Sequence, residues 1–151
     1  TSYFSLFACF AIRFANYVRK VMEKECGQQH YSFEEALKHM YMSLVGGEKR
    51  LLTEPFWGTR GGAIGNIGKV VGWKTPDGKK RWRLDYDPQK GVHINEEDFT
   101  LVRPKKIVHP IKISEALART YINKWTSRFD KPQYVIDAEE ELLRQVREGF
   151  R

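Results

Sequence analysis

Between residues 68 and 95 the chain reads as strand, turn, strand, turn, strand, and few folds accommodate that order. The segments "KVVGWK", "KKRWRLDYD" and "VHIN" are rich in β-branched and aromatic residues, the composition of strands. "TPDG" separates the first two, with Pro76 at the second turn position and Gly78 where a positive φ is needed. "DPQKG" separates the second and third and ends on Gly91. Turns this short join antiparallel neighbours. Alternation then assigns the faces. Trp82, Leu84 and Tyr86 point one way, and Arg81, Arg83, Asp85 and Asp87 the other. Val92 and Ile94 separate in the same way from His93 and Asn95. If the apolar sets share a face, Asp85 falls near His93 and Arg83 near Asn95. That register requires an odd number of turn residues or a bulge at Gly91.

The flanks are helical. Phe4, Phe7, Ala8, Ala11, Phe14, Ala15, Val18 and Met22 recur at helical spacing, which predicts a helix over 2–25 that stops at Gly27. Ser32 with Glu35 forms a capping box for a second helix, closing at Gly46–Gly47. Residues 53–68 hold five glycines and read as a loop. "FTLVRPKKIVHPIKI" is extended, and Pro104 and Pro110 restrict it to an edge or to two short pieces. Ser114 opens a third helix to about Phe129, and residues 134–148 form a last one. The expected fold is α+β: an N-terminal helical pair, a small antiparallel sheet of three to four strands, and C-terminal helices. The 151 residues fit one domain, with 1–50 as its helical part and 51–151 as the α+β core.

Cys9 and Cys26 would lie about 25 Å apart on one continuous helix, so both read as free thiols, which fits a reducing compartment. The apolar run near the N-terminus is interrupted by Arg13 and is too short for a stable membrane span. Transient membrane contact through residues 3–18 is the alternative to burial. A start at Thr1 fits a piece of a longer chain.

The charge balance points to polyanions. Lys and Arg outnumber Asp and Glu by 26 to 19, which favours nucleic acid, anionic lipid or an acidic protein as partner. On the polar side of the central hairpin, an Asp–His pair beside two arginines suits phosphodiester cleavage. His93 is the candidate general acid or base and Asp85 its orienter. Arg83 and Arg81 are candidate phosphate clamps, with Lys90 and Asn95 positioning. RNA carries its own nucleophile, the 2′-hydroxyl, so no metal and no cofactor is required. Glu96, Glu97 or Asp98 is a candidate second proton carrier; alternatively these carboxylates hold a divalent ion, with His93 as base for water. Lys105 and Lys106, in "RPKK", can track phosphates. Trp57, Trp73 and Tyr86 can stack bases or pack in the core. His30, His39 and His109 read as isolated structural or surface residues, and no Cys/His spacing suggests zinc. A bland reading stands beside this one: alternating charges on the solvated side of a sheet often just pair with one another.

"GKVVGWKTPDGKKRWRLDYDPQKGVHINEEDF" resembles a pattern at the C-terminal ends of bacterial polymorphic toxins of the Rhs and contact-dependent inhibition type. The match runs through Gly68, Val71, Gly72, Asp77, Gly78, Trp82, Arg83, Asp85, Tyr86, Asp87, Lys90, Gly91, His93, Asn95 and Asp98. "KKIVHPIKISEALARTYINKW" is a weaker echo of their extended segment and closing helix. The chain departs from that layout in its helix after residue 133 and its basic segment at 103–106. The resemblance implies a delivered effector acting in the target-cell cytoplasm and neutralised by a cognate immunity protein. Many such domains are nucleases; others are deaminases or ADP-ribosyltransferases. Combined with the site residues, the expectation is a metal-independent ribonuclease. The alternatives are a non-catalytic module that binds nucleic acid or an acidic protein, and an ADP-ribosyltransferase with the 58–68 loop beside a dinucleotide.

Overall fold

The structure is a computed structural model that describes residues 23–59 and 66–149. Its elements run β1 (Glu23–Cys26), α1 (Phe33–Val45), a 3-10 turn (Lys49–Leu51), β2 (Glu54–Trp57), β3 (Val70–Lys74), β4 (Lys80–Asp87), β5 (Gly91–Asp98), β6 (Lys105–Ile111), α2 (Glu115–Thr126) and α3 (Gln133–Arg147). The architecture is α+β. A six-stranded sheet has the order β1-β6-β5-β4-β3-β2. β2 to β6 are antiparallel, and β1 adds in parallel to β6.

The central hairpin has the register that the alternation predicts. Arg83 faces Asn95, Leu84 faces Ile94 and Asp85 faces His93, and the pairing closes at Asp87 opposite Gly91. Three residues, 88–90, remain in the loop, and Gly91 sits at φ +68°. A three-residue loop followed by a left-handed residue supplies the required odd count.

One face of the sheet carries the core. Trp82, Leu84, Val92 and Ile94 pack there with Phe33, Ala36, Met40 and Leu44 of α1 and with Ala118, Ile122 and Trp125 of α2. Helical spacing of three and four puts each set on one stripe. Aromatic rings dominate the contact: Trp82 lies 5.8 Å from Trp125, edge on, and 5.8 Å from Trp73. The Ser32 Oγ accepts from the Glu35 amide at 3.2 Å, starting α1, and Gly46 ends it in the left-handed region. Ser114 caps α2 in the same way, through the Leu117 amide. At the far end of α2 the Thr126 hydroxyl accepts from the Val70 amide at 2.9 Å, tying the helix to the start of β3.

The sheet is larger than the sequence suggests, because both ends of it were hidden. Residues 54–57, within the expected loop, pair with β3. An edge strand tolerates Pro55, and four residues are too few for a period to show. Residues 23–25, expected at the end of the first helix, form β1 instead; the rest of that helix, including residues 3–18, lies outside the described residues. The strand assignment comes from β6, whose outer backbone groups need partners, a tertiary demand that overrides local preference. For the same reason β6 is one unbroken strand and not the edge. Pro110 fits inside it because its backbone faces away from β5: its carbonyl accepts from the His30 amide at 2.9 Å, so its missing N–H costs the β5 ladder nothing. The free-thiol expectation also fails, since Cys26 is disulfide-bonded. Residues 23–26 are a strand, so the expected continuous helix between Cys26 and Cys9, the chain's other cysteine and outside the described residues, cannot be used to hold the two apart. Among the described residues no helix is long and apolar enough to cross a membrane.

Gly72 is the tightest point of the sheet. A Cβ there would lie 2.0 Å from the Trp82 carbonyl oxygen, a backbone atom that cannot step aside. Gly72→Ala should therefore destabilise the fold by about 2 kcal/mol or more, measured as a lower urea midpoint with unchanged slope; an unaltered midpoint would show that β3 and β4 can separate freely.

Candidate functional site

The polar face of the sheet is built by the odd-numbered positions of β4 and β5. Asp85 is its hub. Arg83 donates to it from Nε and Nη2, each at 2.7 Å, and Asn95 donates from Nδ2 at 2.5 Å. Burial pushes the Asp85 carboxyl up, but the Arg83 charge, with help from His93 and Asn95, outweighs it and holds the carboxyl below the usual range. Burial works against the Arg83 charge too, and Asp85 again prevails, raising the guanidinium.

His93 stands opposite Asp85 and is 6% exposed. Its Nδ1 lies 3.1 Å from the Gly91 carbonyl oxygen. A carbonyl only accepts, so Nδ1 carries the proton, and in the neutral ring Nε2 keeps its lone pair. Burial pulls the imidazole below its ordinary value more strongly than the Asp85 field lifts it, so the ring is neutral at pH 7. The partners differ from those expected. Asp85 orients Arg83, and the Gly91 carbonyl, not Asp85, holds the His93 nitrogen.

The remaining candidates divide between the faces. The Arg81 guanidinium lies between the Phe56 and Phe99 rings, 5.0 and 4.8 Å from their centroids, and donates to Glu97 at 3.3 Å. It joins the polar face but is already engaged by a carboxylate. Lys106 faces Glu97 and belongs to that side, whereas Lys105 faces Asp98 and belongs to the other. Lys90 sits exposed in the hairpin loop at the rim.

Three sequence expectations are corrected. Glu96 is on the helix side of the sheet, where it accepts from Ser43 Oγ and pairs with His109 Nε2, both at 2.7 Å. It is out of reach of His93 as a proton carrier, and His109 is not isolated. Asp98 likewise faces the helix side, pairing with Lys80 at 3.7 Å. Of the two readings open to the aromatics, core packing holds: Trp57 and Tyr86 are buried in the core, and Trp73 packs against Trp82 and Trp125.

Sequence reasoning missed the helix-side polar groups. His30, buried after β1, and His39 of α1 bring their rings within 4.5 Å. Burial lowers the His30 imidazole more than the neighbouring Glu35 raises it. The available signal was Glu35 and His39 four apart on the polar stripe of a capped helix; the third member arrives only through tertiary structure.

No family model and no curated protein matches this sequence.

The depressed imidazole makes a pH prediction. The unfolded chain protonates His93 near its ordinary value, about 6.5, while the folded chain resists until lower pH. Stability should therefore be full above that value and fall as pH drops below it. In His93→Gln, urea unfolding between pH 7 and 5 should show a shallower fall; an identical slope would mean that the ring is not held neutral by the fold.

Proposed function

We propose that the chain is a toxic effector domain that cleaves RNA without a metal, at the polar face of the β4–β5 hairpin. One observation carries the reading: a neutral imidazole, fixed through Nδ1 by a backbone carbonyl, stands opposite Asp85, the carboxylate that fixes the Arg83 guanidinium. The lone pair on His93 Nε2 takes the proton of a 2′-hydroxyl as its oxygen attacks the phosphorus. The 5′-oxygen leaves with a proton from solvent, giving a cyclic phosphate and a free 5′-hydroxyl. Arg83 uses two of its five N–H groups on Asp85, and the other three suit a phosphate gaining charge. Asp85 and Asn95 are positioning residues, and Lys90 and Lys106 supply cationic surroundings; Lys105 lies on the other side of the sheet, and Arg81 is already engaged by Glu97. The likeness to polymorphic toxin domains supports delivery into a target cell's cytoplasm and a cognate immunity protein.

The burial of His93 and the pairing of both arginines favour a second reading, a non-catalytic binding module in which this network only holds the sheet. The third, ADP-ribosyl transfer, draws on the glycine-rich stretch alone, of which residues 60–65 lie outside the described residues.

Incubation of the purified chain with total RNA, with and without EDTA, separates the three. Chelator-resistant cleavage is expected, and His93→Ala and His93→Gln should lose about a hundredfold or more of it while keeping the native circular dichroism spectrum. Arg83→Lys should lower turnover more than binding, because a lysine cannot keep the two-point contact with Asp85. Binding without cleavage would establish the second reading, and modification that requires NAD the third.

A further inference from the structure

We propose that His30, Glu35 and His39 form a binding site for a divalent cation of the zinc class, on the helix side of the sheet. One donor atom from each residue lies within 4.8 Å of the other two. The cluster joins two parts of the fold. His30 is fixed by its backbone: its amide donates to the Pro110 carbonyl at 2.9 Å, and its carbonyl accepts from the Lys112 amide at 2.8 Å. Glu35 and His39 are four apart in α1 and so share one side of that helix.

The independent sign of a ligand is His30 itself. The residue is 1% exposed, and its Nδ1 has no hydrogen-bond partner. A buried ring nitrogen with no well-formed hydrogen bond, only a long contact to a carboxylate, is costly and calls for an explanation. It is directed at the cluster, since Glu35 Oε1 stands 3.4 Å away. That spacing has a specific meaning. Two ligands at about 2.0–2.1 Å from one zinc ion, at a tetrahedral angle, are about 3.4 Å apart. His30 and Glu35 therefore already stand at the separation of two ligands of one ion. His39 and Glu35 are both exposed on the helix surface, so a rotamer change can bring the second imidazole inward. Two imidazoles and a carboxylate suit zinc better than magnesium or calcium, which prefer oxygen ligands. The fourth position would fall to water. Bound there, the ion would fasten α1 to the chain segment alongside β6.

The site does not rest on the ribonuclease reading. His30 pairs with Ile111 and His93 with Pro110, so the two imidazoles occupy opposite faces of the sheet. Removal of the ion should leave RNA cleavage in place.

The test uses the full chain without an affinity tag, stripped of metal. Zinc is titrated by calorimetry, and cobalt(II) is followed by its visible absorption. One ion per chain is expected, with a dissociation constant of about 10 μM or lower, intense tetrahedral cobalt bands, and a higher unfolding midpoint when zinc is present. Glu35→Gln and His39→Ala alter exposed side chains, so folding is not at risk, and each should weaken binding about tenfold or more. Glu34→Gln, at the adjacent position, should bind as the unaltered chain does. Absence of saturable binding at one ion per chain overturns the proposal, as does binding of equal strength in Glu35→Gln and His39→Ala.

Discussion

The register between β4 and β5 is the constraint on which the rest of the molecule depends. A slip of one residue would exchange the two faces of the hairpin. Trp82 and Leu84 would then face away from α1 and α2, and Arg81, Arg83 and Asp85 would be driven into the aromatic core. The three-residue loop closed by Gly91 excludes that slip from one end. Gly72 against the Trp82 carbonyl restrains the neighbouring pair. Every later feature follows from these two points: the helices dock where the indole of Trp82 is presented, and the polar groups collect on the other side.

The separation of faces is not a separation of apolar from polar. Carboxyl groups largely withdrawn from solvent occur on both. On one side Asp85 is satisfied by Arg83 and Asn95; on the other, Glu96 is satisfied by Ser43 and His109. Buried carboxylates persist only with such partners, and loss of a single partner is costly, about 3–5 kcal/mol for an ion pair. The chain therefore spends residues on pairing that a purely structural sheet could replace with leucine and valine. Retention of two such networks back to back suits a domain whose surface chemistry has been selected as well as its core.

The sequence made the centre of the fold legible and left its margins obscure. Strong alternation in 80–87, two turns with fixed glycine chemistry, and serine caps at 32 and 114 each reflect local physics, and each appears where expected. β1 and β2 have no comparable local signal. "EKEC" and "EPFW" become strands because β6 and β3 offer open backbone edges, which depends on the assembled sheet. The same distinction holds at the site. The pairing of Asp85 with His93 follows from counting along two strands. That the aspartate would turn to Arg83, and that a carbonyl two residues back would take the ring nitrogen, depends on side-chain competition within a crowded face. His30 is the extreme case: its neighbours His39 and Glu35 are close in sequence, but only the parallel contact with β6 brings the ring beneath the helix.

Pairing on the polar face also limits how RNA can be held, on the ribonuclease reading. Arg81 and Arg83 are each offset by a carboxylate, so the centre of the face is close to neutral. Attraction of the polyanion must then come from the periphery, from Lys90 in the hairpin loop, from Lys106 and from the general positive charge of the chain. Few phosphates would be neutralised directly, and affinity would depend only shallowly on salt. A neutral centre carries a corresponding advantage. Arg83 is held in place before substrate arrives and need not be reoriented as charge develops on the phosphate, the condition under which a fixed donor contributes most to the transition state. The Asp85 contact that weakens ground-state attraction is thus the same contact that would make the guanidinium effective in catalysis.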